Sequence, residues 1–171
     1  KKKITIGTRG SKLALIYAKI AKKNINKFKS RFAIKSVNIK KVTTKGDKIQ
    51  SKRLSDIGGK GLFTKKIENE LLNRKIDIAV HALKDIPSRE NKKLFTNCFL
   101  KRNDPREVLI TRKNKKFKSL PKNSIVGTSS FRREFQLKRM RKDLIYKLIR
   151  GNVDTRIKKL KNKFYDAIIL S

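Results

Sequence analysis

The chain has 171 residues, with 49 Lys and Arg against 13 Asp and Glu and a formal net charge of +36. That length suits one domain of ordinary size or two small lobes, and the patterned apolar residues, 37% of the whole, exclude a disordered polyelectrolyte. A single cysteine excludes an intrachain disulfide, a single histidine excludes a multi-histidine metal site, and no apolar run approaches the ~20 residues that span a membrane.

In chain order, Ile4, Thr5 and Ile6 alternate briefly and predict a short strand ending at Gly7. Ser11 is the expected N-cap of a helix whose apolar face holds Leu13, Ile16, Tyr17, Ile20 and Ala21. Val37, Ile39 and Val42 predict a second strand, closed by a turn at Lys45-Gly46-Asp47. After Gly58-Gly59-Lys60-Gly61, a helix is expected with Thr64 near its start and Phe63, Ile67, Leu71 and Leu72 on one face. Residues 76–80 predict a third strand. Pro87 then removes a backbone donor and pushes Ile86 toward extended geometry, so Lys84 and Asp85 are expected in a loop at a buried strand's end. Cys98 lies in a strand-like apolar run, residues 95–100, and is expected to be a buried structural thiol.

A polar stretch after Pro87 places a boundary near residues 92–100, giving a first lobe at 1–95 and a second at 96–171. In the second, strands are predicted around Val108, Ile125, residues 144–148 and residues 167–170. Helices are expected from Ser129 or Ser130 through Arg141 and from Val153 to Leu160. No internal sequence repeat stands out. Strands alternating with helices imply an α/β fold with mainly parallel, mixed sheets flanked by helices, the second lobe truncated. The chain lacks an initiator Met and stops after an apolar strand, so a fragment of a longer protein is expected. Lys1-Lys2-Lys3 leads into a strand without a signal-peptide core, and the lone cysteine fits a reducing, cytoplasmic setting.

In open α/β folds, ligands bind where strands end. Four such places stand out: Gly7-Thr8-Arg9-Gly10-Ser11, Lys84-Asp85, residues 127–133 and residues 150–156. Three combine small residues, hydroxyls and arginines at an expected helix start, where backbone N–H groups and the helix dipole favour anions. Arginine adds bidentate recognition of carboxylate or phosphate. The loops therefore suit a polyanion, with Asp85 as the conspicuous acid. Gly58-Gly59-Lys60-Gly61 lacks the spacing and Lys-Ser/Thr ending of a Walker loop. Nucleic acid is the first partner that +36 suggests, but the charge runs from Lys1 to Lys163 without gathering into one tail or stripe.

Eight segments in order resemble the porphobilinogen deaminase (hydroxymethylbilane synthase) family. They are Thr8-Arg9-Gly10-Ser11-Lys12-Leu13-Ala14-Leu15, Thr44-Lys45-Gly46-Asp47, Gly58-Gly59-Lys60-Gly61-Leu62-Phe63, residues 77–87, Asp104-Pro105-Arg106, residues 127–133, residues 150–160 and residues 165–170. The resemblance implies two lobes like those of periplasmic binding proteins and a third, small domain. It implies a transferase of porphyrin (haem) biosynthesis that deaminates four porphobilinogen molecules and joins them head to tail into hydroxymethylbilane. The chain grows on a dipyrromethane cofactor bound covalently to a cysteine of that third domain, which this sequence does not contain.

By position, Asp85 matches the family's catalytic aspartate, expected to assist ammonia loss and stabilise positive charge on the pyrrole and azafulvene intermediates. Arg9, Arg132, Arg133, Arg150 and Arg156 match positions that bind acetate and propionate groups, and Ser11, Lys84, Thr128, Ser129 and Gly151 match their neighbours. Gly58, Gly59 and Lys60 are a candidate lid. Two departures stand out: Ala82 where a serine is usual, and Asp56 where a lysine is often found. The resemblance implies a monomer without metal or membrane partner, and nucleic acid is not the expected ligand. The fragment alone is expected to be inactive. The alternatives are a solute-binding-type module for organic anions, which explains the arginines but not Lys84-Asp85, and a basic nucleic-acid-binding protein.

Overall fold

The computed structural model describes residues 2–48, 61–89 and 91–170, and the chain divides into two units, Lys1–Lys101 and Arg102–Ser171. The expectations for Asp56, Gly58, Gly59 and Lys60 lie outside the described residues.

In the first unit, β1 (Lys2–Arg9) is followed by α1 (Lys12–Asn26), β2 (Ile34–Val42), the short α2 (Lys45–Lys48), α3 (Lys65–Leu72) and β3 (Ile78–Ala79). The sheet order is β2-β1-β3, all parallel. Ser11 caps α1, its Oγ accepting from Ala14 N at 3.3 Å. The central strand is covered on both faces. Ile6, Ala18 and Val37 pack on the α1 side. On the other, Ile67 of α3 packs with Val42 and Ile76. Burying the Ile and Val side chains drives assembly at roughly 1.5–3 kcal/mol each.

The second unit holds β4 (Val108–Thr111), β5 (Ile125–Gly127), α4 (Phe131–Met140), β6 (Ile145–Lys147), α5 (Val153–Lys161) and β7 (Ala167–Leu170). Its order is β4-β7-β5-β6, with β5 parallel to both neighbours and β4 antiparallel to β7. Val126, Leu144 and Ala167 form the core that Leu137 of α4 joins, while Leu160 of α5 packs against Ile149 and Ile168 on the other face. The whole chain is thus a mixed α/β fold with parallel-dominated sheets flanked by helices.

The two units repeat one βαβαβ plan, although no internal sequence repeat announces it. β2-β1-β3 corresponds to β6-β5-β7. Gly7-Thr8 corresponds to Gly127-Thr128, and both threonines are buried. The helix before the last strand ends at Asn73 or Asn162, followed by a left-handed residue, Arg74 (φ 55°) or Lys163 (φ 64°). Next comes an aspartate that closes a central-strand residue at both backbone groups. Asp77 accepts from Thr5 N at 2.7 Å and donates its N–H to Thr5 O at 2.9 Å. Asp166 does the same to Ile125, at 2.8 and 2.9 Å. Only about three short identities carry the match, too few to register as a sequence repeat.

Several expectations are corrected. β1 runs on to Arg9, so Gly7 and Thr8 are strand and only Gly10-Ser11 is loop. The turn at Lys45-Gly46-Asp47 is a short helix. β3 is two half-buried residues, not five buried ones. Residues 95–100 form no strand and Cys98 is exposed. Phe95 and Phe99 are exposed too, and β-formers without a ladder partner do not make a strand.

Gly127 marks a close approach: a Cβ there would stand 2.8 Å from Tyr165 Cδ1 and 3.2 Å from Ile149 Cβ. Gly127→Ala is therefore expected to cost about 1–3 kcal/mol by overpacking. Thermal melting checks it; an unchanged midpoint would show that the Tyr165 ring yields freely.

Candidate active site

In the first unit the site is built around the end of β1. Thr8 faces inward, its hydroxyl donating to Val80 O at 3.1 Å, and Val80 N donates to Gly7 O at 3.0 Å. These bonds fix the exit of β3. From there the chain passes through His81 and Ala82 into a 3-10 turn, Leu83–Asp85, closed by Asp85 N to Ala82 O at 2.9 Å. Lys84 is exposed, whereas the Asp85 side chain retains 22% exposure and meets Arg9 Nη1 at 3.2 Å.

Arg9 is held on three sides. Its Nε donates to Asp47 Oδ1 at 3.0 Å, and Nη2 donates to the same oxygen. The guanidinium carbon lies 3.8 Å from the centroid of the Phe63 ring, a cation–π stack. Asp47 Oδ2 in turn accepts from Thr44 N at 3.1 Å and Thr44 Oγ1 at 2.7 Å. Burial alone would raise the Asp47 pKa. The Arg9 and Thr44 hydrogen bonds and the Arg9 charge outweigh it, so the carboxyl sits below its usual range. His81 is shifted down chiefly by burial, with Asp85 and Glu68 pulling it upward and Arg9 adding to the fall. Ser11 serves as the α1 cap, and Ala82 begins the Asp85 turn.

The second unit presents cations. Thr128 is fully buried; its N–H donates to Lys147 O at 3.0 Å and its Oγ1 accepts from Ser130 N at 3.2 Å. Ser130, not Ser129, caps α4, accepting from Arg133 N at 3.4 Å. Arg133 leaves the first turn of α4 with only 13% side-chain exposure, and its Nε lies 2.7 Å from Glu107 Oε1. Arg132, largely exposed, reaches the same oxygen only at 3.9 Å. Arg150 is buried just after β6. Gly151 follows at φ +112°, a conformation that favours glycine, and its carbonyl accepts from Arg156 Nε at 2.8 Å.

Arg133, Arg150 and Arg156 form a like-charged group. The guanidinium of Arg156 is destabilised first by burial, then by the charges of Arg150 and Arg133, so its pKa is lowered. Such a group is relieved by an anion that offers several oxygens. A flexible polycarboxylate has that chemistry, and Ser129 lies in the adjoining loop beside the buried Thr128.

Each unit therefore gathers part of the expected set. The first brings Arg9 to Asp85, and the second groups Arg133, Arg150 and Arg156 near the 127–130 loop. Lys84 and Arg132 remain at the surface. The sequence reading gave Asp47 and Glu107 no part in the site and put Phe63 on the apolar face of a helix, whereas it precedes α3 and stacks on Arg9. Asp47 and Phe63 stood in quoted motifs, and their alignment with Arg9 across the fold was the missing signal.

Among the described residues, no helix is long and apolar enough to cross a membrane, and no cluster of three or more His, Cys, Asp or Glu could hold a metal ion.

A family model described as porphobilinogen deaminase, dipyromethane cofactor binding domain, matches residues 4–171. The porphobilinogen deaminase of Rickettsia bellii (strain OSU 85-389) is 49% identical over 168 residues, covering 98% of this chain and 55% of that protein. Those of Alkaliphilus metalliredigens (strain QYMF) and Bacillus subtilis (strain 168) are each 45% identical over 168 residues, covering 98% of this chain and 52% of theirs. The chain spans about half the length of these curated relatives.

Proposed function

The chain belongs to the porphobilinogen deaminase family, and from that premise we infer that the native-length protein carrying it is a hydroxymethylbilane synthase. It would condense four porphobilinogen molecules head to tail with release of ammonia. The grouping of Arg133, Arg150 and Arg156 carries this reading, because porphobilinogen and its oligomers bear an acetate and a propionate on every ring. When bound, the dipyrromethane supplies the pyrrole terminus on which the chain is extended, attached through a cysteine outside this chain.

Every other role belongs to side chains here. Arg133, Arg150 and Arg156 would bind carboxylates, with Ser129, Arg132 and Gly151 beside them and the buried Thr128 holding the loop. Arg9, Ser11 and Lys84 would add contacts in the first unit. Asp85 would be the catalytic residue. Its carboxyl serves the proton that leaves with ammonia, and its charge stabilises the cation that develops on the pyrrole as the C–N bond breaks. The new C–C bond then expels the α-proton of the attacked ring, for which Asp85 is again the available base. The protein is proposed to act in the cytoplasm as a monomer.

The test is incubation of the purified native-length protein with porphobilinogen. Hydroxymethylbilane with one ammonia released per porphobilinogen is expected. Tight binding of the substrate without ammonia release would overturn the reading in favour of a solute-binding module.

A further inference from the structure

The geometry points to Asp47 as a positioning residue for the Arg9–Asp85 pair, acting with Thr44 and Phe63. This rests on the reading of Asp85 as the catalytic acid. Arginine is long and flexible, and holding it in one rotamer costs side-chain entropy. Here that cost is met by contacts on three sides. The guanidinium edge formed by Nε and Nη2 is occupied by Asp47, and one face by Phe63. The opposite edge, Nη1, is left to point at Asp85.

Asp47 is itself fixed. All four of its described hydrogen bonds are used, two on each oxygen, and two of them come from the buried Thr44 three residues earlier. Gly46 lets the stack close, since a Cβ there would lie 2.4–2.8 Å from three carbons of the Phe63 ring. Gly46 N also donates to Leu62 O at 3.0 Å, tying the turn before Phe63 to α2.

The consequence is an unequal sharing of Arg9. Asp47 is its permanent partner, bound through two donors, while Asp85 is held by one longer bond. Asp85, or a substrate carboxylate in its place, can exchange on Nη1 without Arg9 moving. Asp47 thus works through Arg9 and touches neither substrate nor reacting atom.

The test is a cycle of substitutions in the native-length protein, followed by turnover, KM and melting temperature. Asp47→Asn is expected to lower kcat about tenfold to a hundredfold, the scale of a misplacement near 1 Å. In an Arg9→Lys background, which keeps the charge but loses the fork, the same substitution is expected to change kcat less than twofold. An equal loss in both backgrounds would mean that Asp47 acts on stability alone and would overturn the proposal. Should Asp47→Asn fail to fold, Thr44→Val decides the matter in the same cycle, because it removes one Asp47 hydrogen bond and keeps the volume. The two readings fail separately: full turnover by Asp85→Asn rejects the catalytic role, whereas an inactive Asp85→Asn beside a fully active, folded Asp47→Asn rejects only the positioning role.

Discussion

Asp85→Asn in the native-length protein is expected to lower turnover by about 10²–10⁴-fold while leaving the melting temperature within a degree or two. The amide has nearly the shape of the carboxylate and can still accept the single bond from Arg9 Nη1 at 3.2 Å. What it lacks is the proton-carrying capacity and the negative charge that face the developing cation. Burial works in the same direction: with 22% of the side chain exposed, the charge at 85 is only partly screened by water. Measuring single-turnover ammonia release separates chemistry from product release. Turnover within a factor of three of the unsubstituted protein would remove Asp85 from the reaction, and the Arg9 contact would then be structural.

The second large effect is on stability. Asp166→Ala is expected to destabilise the second unit by about 1–3 kcal/mol, because it orphans the N–H of Ile125 on the central strand. For a unit of this size each kcal/mol moves the midpoint by roughly 4–8 °C. Asp166→Asn is the control. Its oxygen can still accept from Ile125, and only the half-exposed pair with Arg112 at 2.9 Å is weakened, a contact worth ~1 kcal/mol or less. The two variants should therefore melt well apart. Equal melting would show that the Arg112 pair, and not the strand clamp, is the stabilising contact.

Helices and strands in this chain were legible where local signals agreed. Ser11 and Ser130 cap the helices that their hydroxyls announce, and β7 occupies the stretch its apolar run marks. The place of Asp85 in a turn after β3 was legible through Pro87, and that of Arg9 through Gly10-Ser11, which ends β1 and caps α1. The unread parts depend on distance in sequence. Arg9 and Asp47 are 38 residues apart, and Arg9 and Asp85 are 76 apart. No periodicity links them, and only the β2-β1-β3 order brings them together. The run at 95–100 failed for the converse reason. Its local signal for a strand is good, but a ladder needs a neighbour, which the described residues do not supply. The repeated βαβαβ plan leaves no sequence repeat because it is carried by backbone roles, a left-handed residue after Asn and a strand-closing Asp, which different side chains can fill around them.

Those matched aspartates also give each unit a native reporter of its own opening. The amides of Thr5 and Ile125 are bonded to side-chain oxygens at equivalent points of the two central strands. Each can exchange its hydrogen with solvent only when its carboxylate lets go, so the pair of exchange rates reads the local opening free energy of the two units side by side. The Asp77 bond is the more exposed of the two, so the Thr5 amide is expected to exchange faster than that of Ile125, which amide hydrogen exchange measures.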